Sequence, residues 1–128
     1  MSFTILNQAP ACPRATQDIA LNLQNRQNAI RVAMYGPANP NQPSRDYWNR
    51  LAGVWGISPD EAKTMRCGNC AAFDVSATMR SCISQGLGGG RDVEQTIDAG
   101  VLGYCHAFKF KCAAKRTCSA WIVGGPKR

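Results

Sequence analysis

The sequence predicts a small, mainly α-helical protein whose second half is irregular, cysteine-rich and built to hold a metal or a cluster. Three observations carry that expectation. Residues 16–66 contain three segments with helix-start residues and apolar spacing. Six of the seven cysteines (Cys67, Cys70, Cys82, Cys105, Cys112 and Cys118) lie beyond residue 66. Five of the ten aromatic residues share that stretch, and Phe73, Phe108 and Trp121 each follow a cysteine by three positions. Sulfur interleaved with rings is the composition of a dry thiolate site.

At 128 residues the chain has the length of one domain. It divides into an extended N-terminal arm over 1–15, a helical region over 16–66, a cysteine-rich region over 67–123 and a flexible tail over 124–128. A core of this size is modest, so a cross-link or bound metal contributes usefully to its stability. The start of the chain lacks the basic and apolar stretches of an export signal. No run reaches membrane-spanning length. Without export, ligation is a better reading of the cysteines than structural disulfides.

The arm carries Pro10 and Pro13, no apolar period, and Cys12, expected as a free thiol. Thr16 or Asp18 caps a helix running to Met34, with Ile19, Leu23, Ile30 and Ala33 on its apolar face. The amide-rich face with Asn22, Gln24, Asn25 and Gln27 is expected in solvent. Three prolines make 35–43 a stiff loop. Ser44 starts a second helix, in which Trp48, Leu51, Ala52 and Trp55 form a core stripe, and Gly56 ends it. Ser58, Pro59 and Glu61 begin a short third helix. Further helices are expected over 76–85 and from Asp92 to Ile97, on either side of a glycine-rich break, with a little strand around Phe108 and Phe110.

Cys67-Gly-Asn-Cys70 is a CxxC turn, which brings two sulfurs to one centre. A four-sulfur centre needs two more, and Cys105 and Cys118 are the best candidates because an aromatic follows each at the same distance as Phe73 follows Cys70. The amides of Gly68, Asn69 and Ala71 are the expected donors to the sulfurs. A 4Fe–4S cluster and a zinc ion both suit four cysteines. Cys82 and Cys112 are left as a disulfide pair or as two small buried hydrophobes. His106, the single histidine, is expected at the surface.

The blocks Cys-Gly-Asn-Cys-Ala-Ala-Phe, Gly-Tyr-Cys-His-Ala-Phe and Arg-Thr-Cys-Ser-Ala-Trp together resemble the high-potential iron–sulfur proteins over residues 67–121, with 75–100 as an insertion. The resemblance implies a 4Fe–4S cluster held by Cys67, Cys70, Cys105 and Cys118. The whole chain is also similar to small proteins of tailed bacteriophages, through Leu21–Arg26, Tyr35–Asn41, the CxxC block and the stretch from Gly103 to Pro126. That likeness implies a virion location, a capsid decoration or tail-associated role, and partners such as the major capsid protein or further copies of the chain.

The expected function is therefore a non-enzymatic, cluster-stapled structural protein. One histidine and few clustered carboxylates leave acid–base catalysis little material. The alternatives are a soluble one-electron carrier and a zinc-binding module that uses the net charge of +7 to contact nucleic acid, although no recognised nucleic-acid motif accompanies that charge.

Overall fold

The computed structural model describes residues 12–37, 39 and 43–128, and about half of the chain is helical. In order, the elements are α1 (Arg14–Gln17), α2 (Ile19–Ala33), α3 (Arg45–Trp55), α4 (Pro59–Ala62), β1 (Phe73–Asp74), α5 (Ala77–Gly86), α6 (Arg91–Gly100), β2 (Leu102–Cys105) and β3 (Phe110–Ala113). The strands form one antiparallel sheet in the order β1-β2-β3, with Phe73 opposite Cys105 and Cys105 opposite Phe110. The architecture is mixed α/β rather than mainly α. The strand expected around Phe110 is β3, whereas β1 and β2 escaped the sequence because β1 is two residues long and β2 is four residues with Gly103 inside it.

The helix starts follow local chemistry. Asp18 accepts a hydrogen bond from the Leu21 amide at 3.1 Å, Ser58 from Glu61 at 3.1 Å and Ser76 from Met79 at 3.2 Å. On α3, Trp48, Leu51 and Ala52 are buried against Ala62 of α4, as the stripe predicts. Gly56 ends α3 at φ 69°.

On α2 the expected apolar face holds only in its second half, where Ala33 is buried and Ile30 packs on the core. Ile19 and Leu23 are 64% and 56% exposed, whereas Asn22, Ala29 and Ala33 are buried. Asn22 is inside because its Oδ1 accepts the Lys111 amide of β3 at 2.7 Å, and Asn25 donates to the Lys109 carbonyl at 2.7 Å. Part of the amide face thus docks the helix on the sheet by hydrogen bonds, while Gln24 and Gln27 remain exposed.

Two further expectations need correction. Cys12 is not a free thiol: it forms a disulfide with Cys82 of α5, their Cα atoms 5.5 Å apart. Gln17 Nε2 donates to the Cys82 carbonyl at 2.8 Å, and Gly86 has no side chain where the Thr16 carbonyl passes. The end of the arm is therefore fixed to α5; residues 1–11 of it lie outside the described residues. The tail is not loose either. Lys127 donates its amide to Phe73 O at 2.7 Å and accepts from the Val75 amide at 2.8 Å, adding a parallel bridge to the outer side of β1. Gly125 makes this possible, because a Cβ there would collide with the Cys70 carbonyl.

Candidate metal centre

The CxxC segment is a single 3-10 turn, Cys67–Asn69, in which the Cys70 amide bonds back to Cys67 O at 2.9 Å. It hangs on the chain that follows β3: the Cys67 amide donates to Arg116 O at 2.7 Å and the Gly68 amide to Ala114 O at 2.9 Å. Asn69 locks the turn, accepting from the Arg66 amide at 3.0 Å and from Trp121 Nε1 at 2.9 Å, and donating to Thr64 O at 2.8 Å. Cys105 ends β2. Cys118 follows Thr117, whose amide donates to the Gly36 carbonyl at 2.8 Å.

All four expected ligands, Cys67, Cys70, Cys105 and Cys118, line one small cavity of about 20 Å³. Phe73, Phe108 and Trp121, the three rings placed three residues after a cysteine, line it too. In each case a tight turn ties the ring's residue back to its cysteine: the Phe73 amide bonds to Cys70 O at 3.0 Å, the Trp121 amide to Cys118 O at 3.2 Å and the Phe108 amide to Cys105 Sγ at 3.4 Å. Tyr35, Phe110 and Cys112 complete the wall. Sequence reasoning missed those three. The alternation of Phe110 and Cys112 along β3 is the signal that puts both on one face; Tyr35 arrives from a remote loop and has no local signal.

The sulfurs receive amide hydrogen bonds, though not from the expected donors. Gly68, Asn69 and Ala71 spend their amides on the carbonyls of Ala114, Arg66 and Ile122. The Phe108 amide instead reaches Cys105 Sγ, and the Ile122 amide reaches Cys70 Sγ, each at 3.4 Å. Ala120 supplies an amide to Cys118. Such donors favour the thiolate and tune a bound metal.

Burial works in the opposite direction. It raises the Cys118 thiol to about 12, with the neighbouring sulfurs adding to the rise. It raises Cys105 as well. Cys67 is held below the ordinary thiol range by a hydrogen bond from Cys112 and by the Arg116 guanidinium, although burial opposes both. Cys112, hydrogen-bonded to Cys67 and buried, is pushed well above that range. Cys112 is not the partner of Cys82: it is a buried free thiol in the apolar core, as one of the two readings expected, and a fifth sulfur at the cavity. Ligation of buried thiols displaces their protons, which is how a metal overcomes such shifts.

Among the described residues, no three His, Cys, Asp or Glu side chains converge closely enough to hold a single metal ion. A tetrahedral zinc site places sulfurs about 2.3 Å from one centre, hence less than about 4 Å from one another. His106 stands outside the cavity wall: it is exposed, and its Nε2 lies 2.8 Å from Oδ2 of the buried Asp74.

Comparison of the chain with models of known protein families, with curated proteins and with solved structures finds no match. The likeness to high-potential iron–sulfur proteins and to phage proteins therefore rests on its sequence blocks. No helix among the described residues is long and apolar enough to cross a membrane.

Proposed function

We propose that this chain is a non-enzymatic structural protein of a phage particle whose cysteine-rich half is pinned by a 4Fe–4S cluster on Cys67, Cys70, Cys105 and Cys118. One observation carries the cluster: cysteines from three separate stretches face one cavity walled otherwise by aromatic rings, and Cys70, Cys105 and Cys118 already receive backbone amides. The cluster is preferred to zinc on the likeness of the three cysteine blocks to high-potential iron–sulfur proteins. Once bound, the cluster supplies iron–thiolate links that join the CxxC turn, β2 and the segment after β3. The protein's own part is to exclude water with Phe73, Phe108 and Trp121 and to orient the sulfurs through amide donors. Cys112 lines the same cavity and is assigned outside the ligand set because the blocks that resemble the iron–sulfur family do not include it. The virion role is supported by the phage-like sequence blocks and by a fold that depends on cross-links more than on a large core.

Anaerobic purification tests the centre. Absorption near ~400 nm with about four irons per chain is expected. Cys67→Ser and Cys118→Ser should abolish it, and Cys112→Ala should keep it. Zinc without iron, or a spectrum that survives Cys118→Ser, overturns the assignment. Co-purification with particles, and unfolding when the iron is chelated, separates the structural role from a carrier that stays monomeric and cycles reversibly.

A further inference from the structure

Tyr104 and Cys105 are neighbours on β2 and so point to opposite faces of the sheet. Away from the cysteine cavity, on the Tyr104 side, lies a second concavity that the cluster reading does not use. This groove, of about 560 Å³, opens between α1 and the turn that joins β2 to β3. Pro13, Ala15, Leu21 and the Tyr104 ring provide apolar wall, and Arg14, His106 and Lys109 provide cationic or polar wall. Neither Arg14 nor Lys109 has an acidic partner among the described residues. The nearby carboxylate, Asp74, is buried and engaged by His106 Nε2 at 2.8 Å, by the Ser76 amide at 2.9 Å and by Lys127 Nζ at 3.9 Å. Tyr104 is 4% exposed, yet its hydroxyl has no hydrogen-bond partner among the described residues and is not sealed from solvent. A hydroxyl that solvent still reaches, beside two cations without acidic partners, gives the groove a donor lining open to an acceptor.

We propose that this groove binds an organic anion, a carboxylate or phosphate carried on a small apolar body. The Tyr104 hydroxyl and the Arg14 and Lys109 side chains donate to the anionic oxygens, and the body rests on Leu21, Ala15 and the Tyr104 ring. The Cys12–Cys82 disulfide places Arg14, because it fixes the start of α1. The proposal is independent of the cluster.

Calorimetric titration of the full-length protein with phenyl phosphate, benzoate, inorganic phosphate and benzyl alcohol tests it. An aryl anion should bind more tightly than inorganic phosphate, benzyl alcohol should not bind, and phenyl phosphate against benzoate decides the head group. Arg14→Gln and Lys109→Gln should each weaken binding about tenfold, and Tyr104→Phe about fivefold, because each removes a charged or buried donor. Lys63→Gln, in a surface pair with Asp60 away from the groove, should bind as the parent does. Tyr104→Phe keeps the ring and hence the packing, so its loss of affinity reads the hydroxyl. No binding of either aryl anion, equal binding of benzyl alcohol or inorganic phosphate, or unchanged affinity in all three groove variants overturns the proposal.

Discussion

Replacing Cys12 and Cys82 together by alanine is expected to cost the fold more than any surface change. The disulfide joins residues 70 positions apart. A cross-link over that span removes about 15 cal/mol/K from the unfolded chain by the loop-closure relation, or about 4 kcal/mol at 25 °C. For a domain of this size, each kcal/mol moves the melting temperature by about 3–5 °C, interpolating the usual scaling, so the double variant should melt about 12–20 °C lower. The cross-link acts mainly on the unfolded state, so the variant should also unfold in urea with a steeper slope, since its denatured chain exposes more surface. Scanning calorimetry and urea titration of both proteins measure this, with and without reductant. The parent in reductant should fall towards the variant, and the variant should be indifferent to reductant. A melting temperature within about 3 °C of the parent, or a parent insensitive to reductant, would refute the reasoning.

Two smaller perturbations have signs set by the structure. Burial alone would raise the Asp74 pKa, but hydrogen bonds from His106 and Ser76 outweigh it and hold the carboxyl below its ordinary range. The folded value thus lies below the unfolded one near ~3.9, so the stabilisation is complete above that pH and disappears as pH falls through the folded value. Asp74→Asn should cost about 1–3 kcal/mol at pH 7 and flatten the acid limb of the stability–pH curve; an unchanged acid limb in urea titrations contradicts this. Gly125→Ala drives a methyl into the Cys70 carbonyl and should cost about 1–3 kcal/mol, whereas Gly53→Ala, in open space inside α3, should gain about 0.5–1 kcal/mol. Chemical denaturation giving both changes the same sign would remove the steric explanation.

What the sequence made legible was local. The stripe on α3, the caps at Asp18 and Ser58, and the close spacing of Cys67 and Cys70 are each encoded within a few residues, and each appears in the structure. The aromatic residue three places after Cys70, Cys105 and Cys118 was equally local, and the cysteines it picks out line one cavity with Cys67, although Cys112, which it does not mark, lines it too. The misses were non-local. The buried side of α2 depends on β3, which arrives about 90 residues later to bond Asn22. An apolar period cannot reveal that an amide will be the buried residue. Cys12 and Cys82 meet across the fold with nothing in either neighbourhood to mark the pairing. Lys127 lies in a glycine- and lysine-rich stretch that looks unstructured by itself, and it becomes ordered because β1 offers it free backbone groups.

The placement of β1 has a consequence for synthesis. Its two residues are flanked on one side by β2 and on the other by Lys127, both translated later. A nascent polypeptide therefore cannot complete this part of the sheet until residue 127 has emerged from the ribosome. The CxxC turn beside it waits in an unfinished setting for the same interval. Assembly of the cysteine-rich half thus waits for residue 127, and a chain stalled between residues 113 and 127 would expose its thiols with the outer side of β1 still open.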